Sequence, residues 1–91
     1  MAGSPYQMAP EVYKGDPYTE KVDVYSAGVI LFEMLAGRLP FEGDTRADLF
    51  RVKDVGIKEK KLLAVSESLR EVLKRMLHPD PEQRLSMDGV F

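Results

Sequence analysis

The chain has 91 residues, of which 44% are hydrophobic and 31% are charged, and its formal net charge is −2. This length predicts one small domain or part of a larger one, and the near balance of charge argues against a general nucleic-acid binder. Because the chain has one histidine and no cysteine, disulfides and thiol chemistry are excluded and a zinc site is disfavoured.

Residues 1–19 are predicted to form a loop. Pro5, Pro10 and Pro17 each remove a backbone donor and push the preceding residue toward extended geometry. One short turn is expected at residues 10–13.

Residues 22–36 are predicted to form a helix within a central segment, 20–37. Its side chains are apolar around nearly the whole circumference, so the helix requires cover on all sides. Gly37 is placed to end the helix, and Pro40 follows at the usual distance. Gly28 costs about 1 kcal/mol relative to alanine inside a helix, which indicates a neighbour packed closely against the backbone there. The alternative interpretation is that the helix merely tolerates this glycine.

Two shorter helices are predicted after the central one, over residues 44–54 and 66–77. Asp44 or Thr45 is a suitable N-cap for the first, and Ser66 for the second. The second has an amphipathic pattern at i, i+3, i+4, i+7 and i+8. Its apolar positions are Leu69, Val72, Leu73, Met76 and Leu77.

The remaining stretches are predicted to be connectors. Residues 55–65 are charged, and their lysines 58, 60 and 61 are expected to be solvated. Residues 78–91 are predicted to form a turn and the beginning of a truncated last helix. The chain is thus expected to be mainly α-helical, without a sheet. Its most apolar stretch is too short to span a bilayer and its first residues do not resemble a secretory signal, so a cytoplasmic protein without membrane contact is expected.

General motifs for chemistry are absent from the sequence: there is no glycine-rich phosphate loop, no paired acid–base histidine and no cluster with metal-ligand spacing. Three longer stretches, however, resemble eukaryotic serine/threonine protein kinases. Residues 3–11, GSPYQMAPE, resemble the end of the activation segment, G-[ST]-P-x-[YW]-M-A-P-E. Residues 23–29, DVYSAGV, resemble the start of the buried central helix of the large lobe, and residues 80–86, DPEQRLS, resemble the pattern D-P-x-x-R-x-[ST]. The order and spacing of the three motifs imply the C-terminal part of the kinase large lobe.

The resemblance assigns structural roles to three charged residues. Glu11 and Arg84 match the glutamate and arginine that form a buried bidentate ion pair in the family, a geometry that the guanidinium fork suits. From composition alone both would be read as solvated surface charges. Asp23 matches the aspartate that anchors the catalytic loop by accepting hydrogen bonds from its backbone. A carboxylate near a helix N-terminus is also favourable in itself.

The resemblance also implies substrate-binding residues. Ser4 matches the residue that helps to orient groups near the phosphoacceptor hydroxyl, whereas Pro5 and Met8 match the walls of the pocket for the next substrate residue. An alternative interpretation is that Ser4 and Pro5 form only a turn. The sequence departs from the family pattern at Gln7, where an aromatic ring usually supports the pocket floor.

The parts of a kinase that hold ATP and Mg²⁺ are a glycine-rich loop, a lysine–glutamate pair, a catalytic-loop Asp and Asn, and the DFG aspartate. In the family all of them precede the stretch that this chain resembles. We therefore expect a fragment of a serine/threonine kinase that carries substrate-side and structural elements, with no catalytic residue, metal ligand or cofactor of its own. Such a fragment is expected to be inactive alone.

Two other interpretations remain open. The chain is alternatively a non-catalytic interaction module that docks through the helices of residues 45–54 and 66–77. An unrelated DNA-binding helical bundle is disfavoured because no predicted helix has a basic recognition face. In the kinase interpretation, the partners are a protein substrate at residues 3–11 and a second copy or a complementing kinase segment. The latter is expected because the elements that cover one side of the central helix in the family are missing, which leaves an apolar face uncovered.

Overall fold

The computed structural model describes residues 5–86, and within that range the chain forms helices and loops with no strand. The mainly α-helical prediction is therefore confirmed there. In chain order the helices are α1 (Pro10–Tyr13), α2 (Lys21–Ala36), α3 (Arg46–Val55), α4 (Glu59–Leu62) and α5 (Glu67–Met76). The truncated last helix predicted from about residue 87 lies outside the described range. No helix in residues 5–86 is long and apolar enough to cross a bilayer.

Helix α2 is the central element, and it is buried on one side and exposed on the other. It ends where predicted, because Gly37 adopts a left-handed conformation with φ of 73° and its N–H donates to the Glu33 carbonyl at 2.9 Å. The exposed fractions of Ile30, Met34 and Leu35 are 37%, 77% and 44%. The predicted uncovered apolar face is thus present.

Helix α5 crosses α2 at Gly28, which confirms the predicted close approach. A Cβ atom at Gly28 would lie 3.0 Å from the Cβ of Met76 and 3.1 Å from Cδ2 of Leu77. Any residue with a Cβ atom at position 28 would therefore require a shift of α5. Val72 departs from the predicted buried pattern of α5, since it is 40% exposed.

The predicted helix caps are correct in position but differ in chemistry. The hydroxyl of Thr45 accepts a hydrogen bond from the Asp48 N–H at 3.1 Å and so caps α3. Ser66 occupies the N-cap position of α5, but its side chain makes no capping bond. Its Oγ lies 3.4 Å from Oγ of Ser68 instead.

The charged connector contains the short helix α4, which sequence periodicity does not predict. Leu62 and Val65 are buried there against Phe32 of α2. The expectation of a solvated Lys61 is wrong, because its ammonium donates to the Leu39 carbonyl at 3.1 Å and pairs with a glutamate carboxylate at 3.2 Å. The partly buried Lys61 side chain therefore fastens the connector to the loop after α2.

Candidate functional site

The segment of residues 5–8 is held to the helices by its backbone. The ammonium group of Lys53, in α3, donates to the carbonyl of Pro5 at 2.7 Å, to that of Tyr6 at 3.4 Å and to that of Met8. An ammonium group has three N–H donors, so these contacts use its full donor capacity.

The remaining carbonyl of the same segment is held from α2. The hydroxyl of Ser26, which is buried, donates to the Gln7 carbonyl at 2.7 Å. Four consecutive backbone carbonyls, of residues 5 to 8, thus accept hydrogen bonds from side chains of two helices. The path of this segment is consequently fixed without any strand pairing.

Lys53 is fully buried, with 0% exposed. Its ammonium lies 5.8 Å from the ring centroid of Tyr13 and 5.3 Å from that of Tyr25, both within range of a cation–π attraction. Burial lowers the pKa of Lys53 to about 8. Protonated Lys53 therefore predominates at neutral pH, and this is the form that can donate to all three carbonyls.

Two tyrosines line the same interior. Tyr13 donates to the Asp54 carboxylate at 2.7 Å and to the Phe50 carbonyl at 3.1 Å, and its ring stacks on that of Phe50 at 3.8 Å. Burial, together with Asp54, raises the pKa of Tyr13. The Tyr25 hydroxyl is buried and has no hydrogen-bond partner among the described residues. Burial raises the pKa of Tyr25 well above its ordinary value, so its ring stays neutral.

The segment continues into α1, where Glu11 forms a bidentate ion pair with Arg84. Nη1 and Nη2 of Arg84 lie 2.7 Å and 2.9 Å from the two carboxylate oxygens, and both residues are buried. The other donors reach the carbonyls of Lys21 at 3.0 Å, Pro79 at 3.4 Å and His78 at 2.9 Å. All five guanidinium N–H groups are therefore used. The pair joins α1, the start of α2 and the turn after α5.

The structure thus brings four of the predicted site residues into two anchored clusters. Pro5 and Met8 are partly buried and share the ammonium of Lys53, whereas Glu11 and Arg84 contact each other directly. Asp23 is exposed in the first turn of α2, apart from both clusters. The predicted substrate residue Ser4 lies outside the described residues.

Lys53 and Ser26 are the functional candidates that sequence reasoning missed. A signal for Lys53 exists, because it lies four residues after the buried Leu49 and so shares the inward face of α3. A charged residue at an inward position is a reason to search for an internal partner. Ser26 carries a comparable signal, because it is a polar residue within the largely apolar central helix.

The described residues do not fit the ATP and Mg²⁺ of the kinase family. Residues 5–86 contain no group of three His, Asp or Glu side chains arranged to hold a metal ion. The one fully buried lysine in that range is occupied by backbone carbonyls.

The helices hold an N-terminal, proline-containing loop through a buried ion pair and buried backbone contacts. This is the arrangement of a kinase large lobe. The family model described as protein kinase domain matches residues 1–91, and the chain belongs to the protein kinase family. The buried Glu11–Arg84 pair and the central helix α2 are therefore parts of a kinase lobe.

Similar proteins support the same family. The chain is 42% identical over 98 residues to serine/threonine-protein kinase PEPKR2 of Arabidopsis thaliana, and 38% identical over 94 residues to calcium-dependent protein kinase 14 of the same plant. Both matches cover 100% of this chain but only 20% and 18% of the relatives. The crystal structure of Rad53 1–466 in complex with AMP-PNP matches 98% of this chain and 24% of that chain, with a TM-score of 0.83 and 30% identity. The chain thus spans about a fifth of these relatives.

Proposed function

We propose that the chain forms the substrate-side wall and the structural base of a serine/threonine protein kinase, and that it transfers no phosphate by itself. The observation that carries this proposal is the double anchoring of residues 5–11. Lys53 and Ser26 hold the backbone of residues 5–8, and Arg84 holds Glu11. A loop fixed in this way presents its side chains in one conformation, which lowers the entropic cost of binding an extended peptide.

The substrate contacts follow from that anchoring. Pro5 and Met8 keep partly exposed side chains while their carbonyls are directed to Lys53. In this proposal the two side chains line the pocket for the substrate residue that follows the phosphoacceptor. Ser4 is assigned beside the phosphoacceptor on its sequence motif alone. The side chain of Asp23 is exposed, and it is therefore accessible for its proposed contact with the catalytic-loop backbone.

The proposed lack of phosphate transfer is supported by the motifs that residues 1–91 do not contain. Neither a glycine-rich loop nor the HRD and DFG motifs occur in this sequence, and kinase chemistry depends on placing ATP and metal with those parts. ATP and Mg²⁺ would be held by other parts of a complete kinase. A cytoplasmic location also stays a prediction.

A chimera tests the substrate-side assignment. Residues 1–91 replace the matching stretch of PEPKR2, and phosphorylation of serine- and threonine-containing peptides is measured with labelled ATP. We expect the chimera to be active and the isolated 91-residue chain to be inactive. A Lys60→Met chimera is a matched control, because Lys60 is exposed.

Two results would contradict the proposal. A chimera that folds and binds ATP but phosphorylates no peptide would remove the substrate-side role. Turnover by the isolated chain, absent from an identically purified control preparation, would show that it holds catalytic parts of its own.

The second candidate, a non-catalytic interaction module, is favoured by the exposed apolar side chains Ile30, Met34 and Leu35 of α2. These lie on the central helix, not on the two later helices that the sequence suggested as the docking face. Co-expression of the chain with PEPKR2 lacking its matching stretch distinguishes the two roles. Kinase activity restored in the mixture favours the first, and a stable inactive complex favours the second.

A further inference from the structure

Lys53 occupies an interior position where its charge is costly. An ammonium group taken out of water loses several kcal/mol of solvation unless it gains partners. Within the described part of the chain, the partners of Lys53 are three backbone carbonyls and no carboxylate. An apolar side chain of the same length would fill the space beside Tyr13 and Tyr25 without this cost. The charge therefore needs an explanation other than packing.

The bonded carbonyls supply that explanation. Those of Pro5, Tyr6 and Met8 converge on a single nitrogen, so the backbone must curve around the ammonium group. Their orientation is set by a side chain that is 48 residues distant in sequence from Pro5. Ser26 holds the carbonyl of Gln7 from α2, and no described backbone N–H donates to these four carbonyls. Without Lys53, three of the four would have no donor among residues 5–86.

We propose that Lys53 is a positioning residue that sets the shape of the Pro5–Met8 wall and thereby the fit of the substrate residue that follows the phosphoacceptor. This inference rests on the proposed function, because it assigns the wall to substrate. Lys53 itself is fully buried and does not touch substrate. Its effect passes through the backbone of residues 5–8, and so it should act on peptide binding and leave the nucleotide unaffected.

The first measurement uses the 91-residue chain. Lys53→Met keeps the length of the side chain and removes all three donors, whereas Lys53→Arg keeps donors and charge. Backbone ¹⁵N relaxation reports the order of residues 6–8, and circular dichroism reports the helices. We expect Lys53→Met to lose order at residues 6–8 with the helices retained, Lys53→Arg to regain part of it, and the control Lys60→Met to match wild type. Unchanged order in Lys53→Met would overturn the proposal.

The second measurement uses the PEPKR2 chimera and separates peptide binding from the chemical step. We expect Lys53→Met to raise the KM for peptide about tenfold, with kcat and the KM for ATP unchanged, and Lys53→Arg to recover part of the loss. Peptides that vary the residue after the phosphoacceptor should show altered preference at that position alone. An equal loss for every peptide, or a fall in kcat only, would assign Lys53 a merely structural role and overturn the inference.

The outcomes distinguish this inference from the proposed function. If the unaltered chimera phosphorylates nothing, the proposed function fails and the substrate role of Lys53 fails with it. If the unaltered chimera is active and Lys53→Met leaves the KM for peptide unchanged, only the inference fails.

Discussion

Replacing Arg84 with methionine removes the guanidinium but keeps a side chain of similar length. The Glu11 carboxylate, whose side chain is 4% exposed, then loses both of its contacts with Arg84, and three backbone carbonyls lose a donor. Breaking a buried ion pair from one side costs about 3–5 kcal/mol. The total unfolding free energy of a domain of this size is about 5–14 kcal/mol. We therefore expect Arg84→Met to lose a substantial fraction of its unfolding free energy.

Urea denaturation followed by circular dichroism measures this effect. With a slope of about 1.5 kcal/mol per molar urea, a loss of about 4 kcal/mol lowers the midpoint by about 2.7 M. The double variant Glu11→Leu/Arg84→Met should recover most of the loss, because replacing both ions by apolar side chains removes the stranded charge.

The control is the exposed pair of Lys74 and Glu59, whose side chains are 48% and 74% exposed. Lys74→Met should leave the urea midpoint close to that of wild type, since solvent screens such pairs. A midpoint for Arg84→Met no lower than that of Lys74→Met would refute the reasoning. Failure of the double variant to recover would show that packing, and not the stranded charge, causes the loss.

Three further predictions concern other parts of the fold. The pKa of Lys53 is lowered to about 8 against 10.5 in the unfolded chain, so the unfolded state binds more protons between these values. The unfolding free energy of wild type should therefore rise by about 2 kcal/mol from pH 8 to pH 10 relative to Lys53→Met, and parallel pH profiles in urea melts would contradict this. Gly28→Ala should destabilise by about 1 kcal/mol, because the contacts at 3.0 and 3.1 Å with α5 outweigh the gain in helix propensity. A raised thermal midpoint would show that α5 yields without cost. Met34→Lys, on the uncovered face of α2, should lower the mass that light scattering measures at high concentration, and a wild type that is monomeric throughout would remove the predicted self-association.

The sequence predicts local features of this fold well, since each depends on residues close together in the chain. The extent of α2 follows from its run of apolar residues, and its end at Gly37 and the close approach at Gly28 follow from glycine placement. Helix α4 was missed because four charged and apolar residues carry no periodic signal.

Long-range polar contacts cannot be predicted from local sequence in this way. Glu11 and Arg84 are 73 residues apart, so their pairing was expected only from the family resemblance. Lys53 was not singled out, because its partners are carbonyl groups that every residue carries. The residue types along the chain do not reveal which backbone carbonyl groups a lysine side chain will contact.

The ring of Tyr25 links the two anchors of residues 5–11. The Lys53 ammonium lies 5.3 Å from its centroid and the Arg84 guanidinium carbon 4.9 Å, so one aromatic side chain faces two buried cations. Because both attractions draw on the same ring, the effects of changing residues 53 and 84 should not add. A substitution at residue 25 should therefore change the energetic cost of substitutions at both cationic positions, so that the ring couples the two ends of the loop.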